Sequence, residues 1–359
     1  MIIKAVIKNT LLVLSSLVFI MLLLELAIPW YYGFNLKETG HTAVRMERVS
    51  EHPDIKFELT PNVSGEIKNI PMTINAGGYR GYEGVPGRFP GYRVIALGDS
   101  VTFGFDLEEE ETFPAQLHQL LNRGEGSYEV LNFGVKGYDT LQEVALLEQK
   151  GLQYSPDLVV VGFCLNDLET SGREIFGESV RPWLDHIALQ SQLVWMALGQ
   201  YQRSVQVSRY QQANSPEMFL QQHKDQIDVV AEDEAPLKEI FSQLSSDYPS
   251  SLYADSNRVG RLRYAFRKLG DLSSQSGFKV VVAVIPYLTD AQPYPHQAAH
   301  DLVIHEAKQA GFIALDLLQD FQKQGIETLK LKENDLLHPN GGGNRVIAEA
   351  LQKIVLNAR

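Results

Sequence analysis

Five short aliphatic runs separated by stretches of helical period govern what residues 93–359 can fold into. The runs are 93–97, 128–131, 158–161, 279–285 and 312–315, each β-branched or aliphatic and bounded by Gly, Pro, Asn or Asp. Between them, helical spacing of apolar residues covers 113–121, 140–151, 261–276 and 298–311, and a last helix begins at Asn344. Apolar runs that are continuous rather than alternating belong to strands buried on both faces. Strand and helix in alternation therefore predict an α/β fold with a five-stranded parallel sheet between helical layers. One connection, about 168–257, is too long for an ordinary crossover and carries Trp183 and Trp195. A lid or acceptor-binding cap and a helical decoration are equally compatible with it.

The segment before the first run is organised differently. Residues 10–30 form an apolar stretch with Glu25 as its one charge, long enough at about 1.5 Å per residue to cross a hydrocarbon core of about 30 Å. Trp30, Tyr31 and Tyr32 follow as an interfacial aromatic belt would. Lys4 and Lys8 precede it, as in a signal peptide, but cleavage after Ala27 would put Glu25 where a small residue is needed. The expectation is a transmembrane anchor preceded by a short cytoplasmic flank, 1–9, with the remainder outside the cytoplasm, periplasmic or extracellular. Residues 31–92, rich in Pro, Gly and Asn, read as a linker and a small strand-rich preamble. A net charge of −12 gives no basic surface for nucleic acid. With Cys164 as the single cysteine, neither an intrachain disulfide nor a four-cysteine zinc site can form.

Ligands of parallel α/β sheets bind beyond the carboxyl ends of the strands. Four places there carry chemistry. Gly98-Asp99-Ser100 follows the first run and can present a serine hydroxyl on a tight strand-to-helix turn. Asn132-Phe133-Gly134 follows the second, where a glycine lets backbone N–H approach a substrate. Gly162-Phe163-Cys164-Leu165-Asn166-Asp167 follows the third, with Asn166 able to donate an amide N–H to an oxyanion. Near the end, Asp335 and His338 are spaced so that one turn can join the carboxylate to one imidazole nitrogen while the other faces Ser100.

These four blocks resemble those of the SGNH, or GDSL-type, hydrolase family over about 93–355, the insertion apart. The resemblance implies a flavodoxin-like three-layer α/β/α fold and ester hydrolysis or acyl transfer without a cofactor. Ser100 is then the nucleophile, His338 the base and Asp335 its orienting acid, with the Ser100 and Gly134 N–H groups and the Asn166 amide as the oxyanion hole. The substrate is an ester, such as an acylated carbohydrate or lipid. An O-acyltransferase acting on an envelope glycan would use the same residues, and a non-catalytic envelope scaffold would merely retain the fold. Gly162 receives no role from the resemblance, and Asn75, Gly78 and Arg80, similar to a preamble of membrane-anchored members, receive no chemistry. His296, His300 and His305 lack an accompanying carboxylate motif, so no metal site is expected. Glu108 to Glu111 read as a solvated run leading into a helix capped by Thr112, and Cys164, between apolar neighbours, as a buried thiol.

Overall fold

A computed structural model of the chain describes residues 46–169, apart from 51, 53, 56, 68 and 69, residues 237–358, and scattered positions between 9 and 24. The span expected at 10–30 thus lies largely outside the described residues, as does most of the insertion with Trp183 and Trp195. Among the described residues no helix is long and apolar enough to cross a membrane.

Residues 46–80 form two small antiparallel pairs. Strand β1 (Glu47–Val49) pairs with β2 (Phe57–Leu59), and β3 (Val63–Ile67) with β4 (Ile70–Ile74). The central sheet follows, from β5 (Tyr92–Gly98), β6 (Tyr128–Gly134), β7 (Leu158–Cys164), β8 (Lys279–Ile285) and β9 (Ile313–Asp316). All five are parallel, in the order β6-β5-β7-β8-β9. The chain runs from β5 to one neighbour and then back to the other, so the carboxyl end of β5 is the topological switch point, where such sheets bind ligands.

The helices are α1 (Ser100–Phe103), α2 (Phe113–Leu121), α3 (Thr140–Gln149), α4 (Leu237–Ser242), α5 (Ser256–Ser276), α6 (Gln297–Gln309), α7 (Leu318–Gln324) and α8 (Gly341–Ala358). Their ends follow capping chemistry. Thr112 Oγ1 accepts the Ala115 N–H at the start of α2, just after the Glu109–Glu111 turn. Asp139 and Gln142 form a capping box on α3. Helix α5 starts before the apolar spacing does because Asp255 accepts the Asn257 N–H there.

Strand alternation splits the interior in two. Val94 and Ala96 face α2 and α8, whereas Ile95 and Leu97 face α3 and α5. The second side also receives Met46, Phe57, Leu59, Met72, Ile74 and Tyr79, so the preamble shares a core with the sheet. The three-layer α/β/α arrangement and the strand count agree with the sequence reading. The strands, however, run on through residues expected just beyond them: Asn132, Phe133 and Gly134 lie in β6, and Gly162, Phe163 and Cys164 in β7.

Candidate active site

Gly98 and Gly134 end β5 and β6, and Gly162, two residues before the end of β7, stands beside them, since Gly98 is in register with both others. Helix α1 lies across this row. A Cβ on Gly98 would fall 2.0 Å from Thr102 Oγ1, one on Gly162 2.6 Å from the same atom, and one on Gly134 2.2 Å from the Phe103 N. Three neighbouring strand positions without side chains let α1 settle directly on the sheet, with Ser100 at its first position. Gly162 thereby gains a role that no motif assigned it, readable in the structure as a packing requirement.

The turn into α1 is held by Asp99, which is fully buried. Its Oδ1 accepts the Val101 N–H at 2.8 Å, and its Oδ2 accepts an Asn166 amide N–H at 3.1 Å. Asn166 follows β7 in a turn closed by the Asp167 N–H to the Cys164 carbonyl and by the Cys164 N–H to Asp167 Oδ2, each 2.9 Å. An amide nitrogen carries two protons, so Asn166 still has one N–H to offer after binding Asp99.

Ser100 Oγ lies 2.9 Å from His338 Nε2 and 3.3 Å from Asp99 Oδ2. The shorter contact sets the hydroxyl against an imidazole nitrogen. His338 Nδ1 lies 3.0 Å from Asp335 Oδ2, and the same carboxylate accepts the Leu337 and His338 N–H groups at 3.1 and 2.9 Å. Burial pushes the Asp335 carboxyl up, but those two N–H groups and the His338 charge outweigh it and hold the group below the usual carboxylate range. An anionic Asp335 fixes the proton on Nδ1 and leaves Nε2 as an acceptor for Ser100. The Phe105 ring, 4.7 Å from the imidazole between centroids, covers its face.

Ser100, Asp335 and His338 are thus brought together, with Asn166 joined to them through Asp99. Gly134 is different. Its N–H is donated to Asn132 Oδ1 at 3.0 Å, and its Cα is pressed against the α1 backbone. The expectation of an oxyanion donor there is corrected: with its N–H taken by Asn132 and its place inside β6 rather than in the loop beyond it, Gly134 is a close-approach residue.

Other candidates resolve without chemistry. Cys164 is buried, and burial, then the Asp99 and Asp167 charges, raise its thiol well above the usual range, which leaves it unreactive. His296 Nδ1 is 2.8 Å from Ser250 Oγ, whereas His300 sits between Asp316 Oδ1 at 2.8 Å and the Tyr294 hydroxyl at 3.3 Å. These are separate polar contacts under helix α6. Sequence reasoning gave no chemistry to Asp99, Phe105 or the buried Arg80, all of which pack on the site. Asp99 carried a local signal, as an N-cap residue before a helix, and Arg80 only its likeness to a family preamble.

Residues 96–346 match the sequence profile of the GDSL-like Lipase/Acylhydrolase family. Comparison with curated proteins gives no significant match. Among solved structures, an acetylxylan esterase from Geobacillus stearothermophilus shares 13% identity over 74% of this chain and 94% of its own, with a TM-score of 0.42. The acetyl xylan esterase AlAXEase shares 14% over 73% and 99%, with a TM-score of 0.40. LAE5, an alpha/beta hydrolase enzyme from the metagenome of Lake Arreo, Spain, shares 12% over 75% and 97%, with a TM-score of 0.41. All three scores are low, and the family assignment rests on the sequence match.

Proposed function

The chain belongs to the GDSL-like lipase/acylhydrolase family and is a serine ester hydrolase, and from that premise we propose that Ser100, His338 and Asp335 carry the reaction. The observation that carries this reading is the continuous line from Asp335 Oδ2 through the imidazole to Ser100 Oγ, with contacts of 3.0 and 2.9 Å. His338 Nε2 takes the hydroxyl proton as Oγ attacks the ester carbonyl, and Asp335 stabilises the imidazolium that forms. The tetrahedral oxyanion faces the Ser100 N–H, at the start of α1, and the remaining Asn166 N–H. Further backbone donors on this edge belong to the turn that follows β6, where Gly137 has φ 75°, rather than to Gly134. The oxyanion collapses, the alcohol leaves with the proton from His338, and water attacks the acyl-serine by the same base.

Ser100→Ala should abolish labelling by a fluorophosphonate probe and lower turnover of p-nitrophenyl acetate by about 10⁶-fold. Labelling that survives in this variant would remove the assignment. The substrate reading is an O-acyl group on a carbohydrate or lipid. One observation supports an anchor on the N-terminal side. Described positions 18–24 are helical, and Val18, Phe19, Ile20, Met21, Leu22, Leu23 and Leu24 are all exposed, at 47–61%. An apolar helical surface of this kind is stable in lipid and costly in water. With the short flank 1–9 on the cytoplasmic side, such an anchor puts the hydrolase outside the cytoplasm.

A further inference from the structure

The carbonyl groups of Phe103 and Gly104, at the end of the short helix that begins with Ser100, and of Leu107 in the turn that follows converge on one side chain. Arg80, in the preamble, donates from Nη1 to the Phe103 oxygen at 2.9 Å and to the Gly104 oxygen at 2.6 Å, and from Nη2 to the Leu107 oxygen at 2.6 Å. Its guanidinium lies 5.2 Å from the Phe103 ring centroid, and the residue is 1% exposed. We propose that Arg80 is a positioning residue for the nucleophile, setting the height and direction of α1 from beneath. The proposal rests on the reading of Ser100 as the attacking serine.

The segment Arg80 grips touches both arms of the catalytic set. The Gly104 and Phe105 N–H groups donate to the Ser100 carbonyl at 3.1 and 2.9 Å, so a shift of 103–105 is passed to the nucleophile itself. Phe105 covers His338. A cation at the carbonyl end of a helix is also favoured by the orphan carbonyls there, which have no partner in the helix itself. Burial draws the guanidinium down to about 10, against the raising influence of Glu109 and Glu110, so it stays charged at neutral pH.

Arg80 is itself held on both sides. Its backbone bridges Ile74 of β4 and Asn132 of β6, tying the preamble to the edge of the sheet. Asn75 shapes the turn before it, accepting the Tyr79 N–H at 3.3 Å and donating to the Gly81 carbonyl at 3.2 Å. Tyr79 stacks on Phe133 with centroids 4.6 Å apart. Asn75 and Arg80 thus act as one device: the asparagine fixes a turn, and the turn aims the guanidinium under α1.

The test compares Arg80→Lys, which keeps a charge but not the fork, with Arg80→Met, which keeps neither. Both are assayed well below their melting temperatures on p-nitrophenyl acetate and by the second-order rate of fluorophosphonate labelling. A displacement of α1 by a fraction of an ångström to 1 Å predicts kcat lower by about tenfold in the lysine variant and about a hundredfold in the methionine variant. KM should stay within about threefold, and labelling should fall in step with kcat. A purely structural arginine would lower the melting temperature but leave kcat and labelling of the folded protein at the wild-type level, and that result overturns the proposal. If the methionine variant does not fold, the lysine variant alone decides on the same two rates. An unlabelled wild type would remove the hydrolase reading and this proposal with it, whereas equal rates in wild type and folded variants remove this proposal alone.

Discussion

Glu143 occupies the inner face of α3 with no exposed surface, and neither of its carboxyl oxygens has a hydrogen-bond partner among the described residues. Burial, then the charges of Asp99 and Asp139, raise its carboxyl well above the usual range; Asp167 is raised by burial, then by Glu143 and Asp99. The folded protein therefore retains protons that the unfolded chain releases near pH 4. Stability from this site is full below that pH and is lost as the pH rises through the folded-state value, because the native state then binds more protons than the unfolded one. Glu143→Gln keeps the shape and removes the titration. It should melt above the wild type, by a margin larger at pH 8 than at pH 5 in scanning fluorimetry; a margin that shrinks with rising pH contradicts the account. That Ser100, Asp335 and His338 meet was legible in the sequence, because each follows a strand or sits in a turn of fixed spacing. Glu143 was not, since a glutamate in an amphipathic stretch reads as solvent-facing until Asp139, Asp167 and the sheet close over it. Nor could spacing reveal that Asn132 takes the Gly134 N–H.

The row of Gly98, Gly134 and Gly162 makes α1 and three strands a single mechanical element. Gly134→Ala puts a Cβ 2.2 Å from the Phe103 N and 2.6 Å from the Thr102 carbonyl carbon, both backbone atoms that cannot rotate away. Overpacking of this kind costs about 1–3 kcal/mol, or roughly 2–12 °C of melting temperature in a domain of this size. The helix must lift, so turnover should drop by about a hundredfold as well. Gly124→Ala, where a Cβ meets nothing within 4 Å, is the matched control and should leave both values unchanged. A Gly134→Ala protein with wild-type melting and turnover would show that α1 is not seated as described. At this scale the sequence was informative about which elements exist, because β-branched runs and caps are local. It was silent about where strands stop: continued pairing of β6 with β5, and of β7 with β5 and β8, carries them past their last aliphatic residues.

The family match begins at residue 96, yet the packing boundary of the molecule does not. Met46, Ile55, Phe57, Leu59, Met72, Ile74 and Tyr79 are 0–4% exposed and join Ile95, Leu131 and Phe133 in one cluster. At about 1.5–3 kcal/mol for each large apolar side chain, these seven contribute roughly 10–20 kcal/mol as an upper bound. A domain's whole stability is about 5–15 kcal/mol. Removing the preamble would thus uncover one face of the core, release Arg80 from α1 and leave the edge of β6 without its bridge. A chain beginning at Arg93 should show no cooperative melting transition and no esterase activity. A chain beginning at Phe34 keeps all of these contacts and loses only the apolar N-terminal stretch. It should melt cooperatively, hydrolyse p-nitrophenyl acetate at the full-length rate, and move from the membrane pellet to the supernatant. Cooperative folding of the Arg93 chain at the full-length rate would make the preamble dispensable, and retention of the Phe34 chain in the pellet would overturn the anchor. The two truncations separate the residues that hold the site together, 46–80, from the N-terminal stretch proposed as an anchor.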